Sequence, residues 1–150
     1  MDFPEALAYL DEHMSYQKTG RIDSPSTEPI AAICAALGDP HLSAPVIHVT
    51  GTNGKGSTVQ MISRLLAAHG LTVGTYTSPH LEHITERFKR NGEPISEAEL
   101  AEQIGAVADV APLVGQNPGY FEILTAAAFR WFADIAVDVM VIEVGLLGRW

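Results

Sequence analysis

Val46-Ile47-His48-Val49-Thr50 runs directly into Gly51-Thr52-Asn53-Gly54-Lys55-Gly56-Ser57, and this junction restricts the fold more than any other stretch. The first run is short, apolar and β-branched, as a strand requires. The second is too rich in glycine to continue a strand and reads as a tight loop. Residues 57–69 then place Val59, Ile62, Leu65 and Leu66 at helical spacing and stop at Gly70, before a second strand-like run, Leu71 to Tyr76. Strand, glycine loop, helix and strand in so short a span have the size of a βαβ unit with a parallel sheet. Val137 to Val144 is a nearly continuous apolar run, the pattern of a central strand covered on both faces. The fold class is therefore α/β, a parallel sheet with flanking helices.

The remaining segments read as helices and connections. Ala6, Leu7, Leu10 and Met14 recur at steps of three and four, predicting a helix over Pro4 to Tyr16 with proline in its first turn. Gly20 to Pro29 reads as loop, and Ile30, Ile33, Cys34 and Leu37 mark a second helix ended by Gly38. Glu86 to Ile95 alternates around Asn91-Gly92, a pair suited to positive φ, so a small hairpin or lid-like loop is expected. Ser96 and Glu99 have capping-box spacing ahead of Leu100, Ile104, Val107 and Ala108. Phe121, Leu124, Ala128, Trp131 and Phe132 define a last helix, their aromatic face assigned to core rather than to a ring-binding site. Residues 1–44 are thus a helical lead-in and residues 45–150 an α/β core.

Composition narrows the function. With 150 residues, 47% of them apolar, the chain can bury one substantial core. Acidic residues outnumber basic ones 18 to 9, a net charge of -9 that opposes general attraction to nucleic acid. The single Cys34 cannot form an internal disulfide; in its Ala-rich surroundings it reads as a small buried thiol, consistent with a reducing cytoplasm. The N-terminus has no secretory pattern, and no apolar run is long enough to span a bilayer.

The glycine loop carries the chemistry. Glycines let backbone N–H groups curl around phosphate oxygens, the following helix N-terminus adds partial positive charge, and Lys55 supplies a mobile full charge. Ser57 offers a hydroxyl to Mg²⁺. The loop departs from the usual P-loop spacing, because Gly56 separates Lys55 from Ser57 and Val49 stands where an outer glycine would be. Glu143 closes the central strand run, where a carboxylate is costly to bury without a cation or hydrogen bonds; it is the Mg²⁺ candidate. The turn Thr77-Ser78-Pro79-His80 follows the second strand and should share the loop's sheet edge. Ser78 there is either a plain turn hydroxyl or a ligand, and His80 with His83 is too small a set for zinc. Tyr120-Phe121-Glu122 at a helix start either clamps a flat ligand or caps and packs the helix.

Taken in order, His48 to Ser57, Thr77-Ser78-Pro79-His80-Leu81, Tyr120-Phe121-Glu122 and Glu143-Val144-Gly145 resemble the folylpolyglutamate synthase/dihydrofolate synthase family. The wider likeness is to the Mur ligases, but Gly56 and the Thr-Ser-Pro-His stretch favour the folate branch. Arg87 and Asn91 to Ser96 extend the resemblance along most of the chain. It implies a Mur-ligase-like ATP-binding domain and an ATP-dependent ligase. The folate or dihydropteroate carboxylate would be activated as an acyl phosphate and attacked by the amino group of L-glutamate. By the same resemblance Thr52, Asn53, Gly54, Lys55, Gly56 and Ser57 bind ATP, with Lys55 catalytic. Ser57, Ser78 and Glu143 hold Mg²⁺, and Tyr120, Phe121 and Glu122 become pterin-side contacts.

Two features depart from the family pattern. Leu147 stands where many members have glycine and Trp150 where an aliphatic residue is common. A second, Rossmann-like domain that members carry does not follow within the sequence, so the chain is expected to be an N-terminal portion and not to complete ligation alone. The alternatives are a non-catalytic Mg-ATP-binding fragment and a small-molecule P-loop kinase or NTPase. Partners are expected to be small molecules, with a monomer as the full-length form.

Overall fold

The computed structural model describes residues 1–14, 26–143 and 145. Tyr16, most of the loop expected over Gly20 to Pro29, Val144 and the departures at Leu147 and Trp150 lie outside the described residues. The described residues form two compact units. One takes in Met1–His41 and Glu97–Trp131; the other takes in Leu42–Ser96 and the chain from Phe132 onward.

The first unit is helical. Helix α1 (Phe3–Glu12) begins with a reciprocal cap: Glu5 N–H donates to Asp2 Oδ1 at 2.9 Å and Asp2 N–H donates to Glu5 Oε2 at 2.7 Å. Two of the helix's orphan donors are satisfied in this way. Ala6 and Leu10 of α1 are buried, as are Ile33 and Cys34 of α2 (Glu28–Ala36). Burial, and then the charge of Asp39, pushes the Cys34 thiol up to about 11, so it stays protonated and packs as a small apolar group. Helix α4 (Glu97–Val110) buries Leu100, Ala101, Ile104 and Val107, and Gln103 beside them accepts from Arg130 Nη1.

The second unit holds the sheet, in the order β1-β5-β2-β3-β4. Strands β1 (Val46–Val49), β2 (Val73–Tyr76) and β5 (Val139–Glu143) are mutually parallel, with β5 paired on both sides and every one of its residues buried. The apolar run from Val139 to Ile142 reflects that position. The hairpin expected around Asn91-Gly92 forms from β3 (Phe88–Arg90) and β4 (Glu93–Pro94). It joins the sheet edge antiparallel to β2, which makes the sheet mixed rather than purely parallel. Asn91 and Gly92 have φ of 47° and 85°, the pair of left-handed residues that a two-residue turn between twisted strands needs. Asn91 also accepts from Val73 N–H through Oδ1 at 2.8 Å, and its own N–H donates to Val73 O at 2.9 Å.

Helix α3 (Lys55–Ala68) covers one sheet face, where Val49, Val59, Val73, Val139 and Val141 form a buried cluster with Ile47, Ile62, Leu66 and Ala67 packed against it. Leu65, expected on this stripe, is 65% exposed, while Ser63 is buried. The stripe is centred on 59, 62, 63 and 66, and a residue one position from Leu66 points about 100° away from it. The same phase error affects α5 (Tyr120–Asp134): Ile123, Leu124, Ala127, Ala128 and Trp131 are buried, but Phe121 is 41% exposed and so is not core. Phe121 instead lies one turn from Thr125, whose exposed hydroxyl donates to the Phe121 carbonyl. Among the described residues, no helix is long and apolar enough to cross a membrane.

Gly74 shows how closely the opposite sheet face is packed. A Cβ at this position would lie 2.5 Å from Phe132 Cδ1 and 2.7 Å from Phe132 Cε1. Gly74→Ala is therefore expected to cost ~1–3 kcal/mol as overpacking, read as a lower urea midpoint with unchanged slope. A loss under ~0.5 kcal/mol would mean that Phe132 moves aside freely.

Candidate functional site

Parallel register sets the geometry of the site. Val49 pairs with Glu143 and Tyr76 with Ile142, so β1, β5 and β2 end at one edge of the sheet. The glycine loop leaves β1 at this edge, the Thr77 turn leaves β2, and Glu143 is the last residue of β5. Such an edge, at the carboxyl ends of parallel strands, is where α/β sheets bind ligands.

The loop ends in the helix earlier than its sequence suggests. Helix α3 starts at Lys55, so Lys55, Gly56 and Ser57 form its first turn. Gly54 is the N-cap with φ of 73°, a conformation glycine adopts without a Cβ penalty. The Gly54 carbonyl accepts from Thr58 N–H at 3.0 Å and from Thr58 Oγ1 at 2.8 Å, fixing the start of the helix. The first N–H groups of a helix have no carbonyl partner within it and carry the positive end of its dipole. Thr52, Asn53, Gly54 and Ser57 are exposed and Lys55 is half-buried, so the loop presents these donors to solvent. Gly51, with φ of 149°, opens the loop at a second position that L side chains rarely adopt.

Glu143 and the Ser78 turn are in direct contact. Ser78 N–H donates to Glu143 Oε2 at 3.2 Å. The Glu143 residue is only 7% exposed. A carboxylate offers about four acceptor positions, and the Ser78 N–H fills one of them. An acceptor this buried, with hydroxyl-bearing Ser78 beside it, fits a hard divalent cation that takes oxygen ligands.

The turn after β2 is organised by two residues that sequence reasoning assigned no role. Glu86 Oε1 accepts from the N–H groups of His83 at 3.0 Å and Glu82 at 3.2 Å, and Glu86 Oε2 accepts from Leu81 N–H at 3.0 Å. Arg87 Nε donates to His80 Nδ1 at 2.9 Å, and the Arg87 carbonyl accepts from Thr77 N–H at 3.0 Å. Because a guanidinium only donates, His80 Nδ1 must be the unprotonated nitrogen. Lost hydration, and then the Arg87 charge, hold His80 below the ordinary histidine value, in keeping with a neutral ring. The spacing of His83 and Glu86 matches a capping box, the one local signal from which this arrangement was readable.

Tyr120, Phe121 and Glu122 belong to the helical unit. Tyr120 is 8% exposed and its ring meets Phe121 edge-on, with centroids 6.2 Å apart. Glu122 accepts from Gly119 N–H at 2.8 Å, capping its own helix. Two of the three thus have a local structural role, while the half-exposed Phe121 ring has surface to offer.

No protein-family model matches the chain. The dihydrofolate synthase/folylpolyglutamate synthase of Mycobacterium tuberculosis is 40% identical over 98% of this chain and 33% of its own length. The solved structure of the M. tuberculosis folylpolyglutamate synthase complexed with ADP superposes with a TM-score of 0.88 at 38% identity, over 99% of this chain and 33% of that one. Over nearly its whole length this chain is a homologue of folylpolyglutamate synthase/dihydrofolate synthases. A further family structure, a bifunctional folylpolyglutamate synthase/dihydrofolate synthase with Mn, AMPPNP and L-glutamate bound, gives a TM-score of 0.87 at 33% identity, covering 99% of this chain and 34% of that one. The chain spans about a third of the length of the curated folylpolyglutamate synthases it matches.

The three N–H donors make Glu86 a stronger acid. They hold its carboxyl down at about 2, His83 contributing most. With the folded value depressed, the stabilisation is complete above the ordinary 4.5 and is lost as pH falls from there through about 2. Following the Glu86 side-chain carbonyl carbon by NMR should give a midpoint near 2; titration at the ordinary value would mean the amides are not engaged.

Proposed function

We propose that the protein to which this chain belongs is an ATP-dependent ligase joining L-glutamate to the carboxylate of a dihydropteroate or folate. The observation that carries this reading is the edge itself: a glycine loop opening a helix with Lys55 in its first turn, beside the buried Glu143 carboxylate that Ser78 touches. The nucleotides and L-glutamate bound in the family structures support the choice of substrates.

In this mechanism the loop amides from Thr52 to Ser57 hold the nucleotide phosphates, and Lys55 offsets charge on the γ-phosphoryl group. A carboxylate oxygen of the pteroate or folate attacks the γ-phosphorus, and ADP leaves with the bridging oxygen's electron pair. The amine of glutamate then attacks the acyl phosphate carbonyl; inorganic phosphate departs, and the nitrogen loses a proton. Ser57, Ser78 and Glu143 would hold Mg²⁺, which when bound neutralises phosphate charge. No side-chain nucleophile is required, so catalysis rests on positioning and electrostatics. Phe121, with Tyr120 and Glu122, is proposed for the pterin side.

This chain is proposed as the N-terminal ATP-binding portion of the enzyme, with a Rossmann-like domain completing the site in the longer protein. Alone, it binds nucleotide without turnover. The lone buried Cys34 accords with a cytoplasmic setting and the acidic balance with small-molecule partners.

Calorimetric titration tests the nucleotide part of the proposal. Mg-ATP should bind the chain, and Lys55→Ala should weaken binding at least about tenfold, or ~1.4 kcal/mol. Glu143→Gln should remove the gain that Mg²⁺ gives over metal-free ATP while leaving metal-free binding intact. Equal affinities in folded parent and Lys55→Ala protein would overturn the assignment of the loop.

A further inference from the structure

The segment from Leu81 to His83 is exposed yet tied down by hydrogen bonds. Leu81 is 92% exposed, and Glu82 and His83 are exposed as well. Yet their three consecutive N–H groups converge on one carboxylate, that of Glu86. Glu86 N–H in turn donates to the His83 carbonyl at 3.0 Å, closing the cap from the other side. The adjoining Arg87 grips the other half of the turn, through its carbonyl at Thr77 and its guanidinium at His80. Residues 77, 80, 81, 82 and 83 are therefore all tied to the Glu86-Arg87 pair. Ser78, lying inside this frame, is the residue whose N–H meets Glu143.

We propose that Glu86 is a positioning residue: by fixing the Leu81–His83 amides it holds the whole turn, and so keeps Ser78 against Glu143 at the metal end of the ligase site. The consequence for metal binding rests on the proposed function above, whereas the placement of Ser78 does not. Glu86 touches no substrate in this role. Its carboxylate has the charge and the paired oxygens to collect amides from a turn whose Leu81, Glu82 and His83 are exposed. Ionisation well below neutral pH keeps the clamp closed under physiological conditions.

Amide hydrogen exchange and nucleotide titration on the 150-residue chain, with Glu86→Ala and Glu86→Gln, separate the two parts of the proposal. In Glu86→Ala the Leu81, Glu82 and His83 amides should lose protection, and Ser78 N–H should exchange about tenfold faster as its contact with Glu143 loosens. The advantage of Mg-ATP over metal-free ATP should shrink by a similar factor while metal-free binding is unchanged, a split that general loss of structure would not produce. Glu86→Gln retains one acceptor oxygen and should fall between parent and Glu86→Ala; if the alanine variant does not fold, the glutamine variant decides. Unchanged Ser78 exchange in folded variants would overturn the proposal, as would equal weakening of Mg-ATP and metal-free ATP. Should the parent bind no Mg-ATP, the ligase reading fails, and Ser78 exchange still decides whether Glu86 positions the turn.

Discussion

The parallel pairing of β5 with β1 on one side and β2 on the other is the constraint on which the site depends. Parallel strands end together, so whatever follows each of them is delivered to one edge. Here that brings a glycine loop, a Ser-Pro-His turn and a terminal carboxylate to the same border from three separated parts of the sequence. An antiparallel arrangement of these strands would have sent one of the three to the opposite end. The pairing is reinforced by the valine cluster under α3, where each buried side chain contributes roughly 1.5–3 kcal/mol.

The edge gathers opposite electrostatic characters. At the loop, the unpaired amides of the first turn of α3 and the Lys55 ammonium give positive potential without any bulky side chain. The adjoining strand, β5, terminates in a carboxylate whose solvation is largely replaced by the protein. Under the proposed function, a phosphate and a divalent cation arriving together would satisfy both, and neither alone would do so fully. The acidic character of the chain as a whole makes this local inversion of sign more selective, since phosphate is repelled elsewhere.

Much of this was legible in the sequence because periodicity and turn chemistry are local. The βαβ unit, the Asn91-Gly92 hairpin and the doubly covered strand each follow from residues within a few positions of one another. Helix phase was less secure: Leu65 and Phe121 are apolar residues one step outside the stripes they were assigned to, and apolarity does not report which side of a neighbouring sheet a residue faces. The roles of Glu86 and Arg87 left only one local trace, the capping-box spacing of His83 and Glu86, because they depend on where backbone amides converge in space. The contact between Ser78 and Glu143 spans 65 positions and needed the strand order before it could be seen. Glu122 shows the converse, a residue readable as either ligand contact or cap that has its own helix start as partner.

Strand β2 is gripped at its beginning by Asn91 and, just past its end, at Thr77 by the Arg87 carbonyl. The chain from Val73 round to Asn91 is thus a closed circuit, bolted at two points. In such a circuit the spacing between the bolts is quantised: strand pairing changes only in whole residues, and each step turns every side chain over. The exposed tip near Leu81 offers no slack either, because the Leu81, Glu82 and His83 amides are spaced to meet one carboxylate. A deletion anywhere else in the circuit would have to be matched by one on the opposite strand. The length of this segment is therefore fixed by its own hydrogen bonds, and with it the path from the end of β2 to the point where Ser78 meets Glu143.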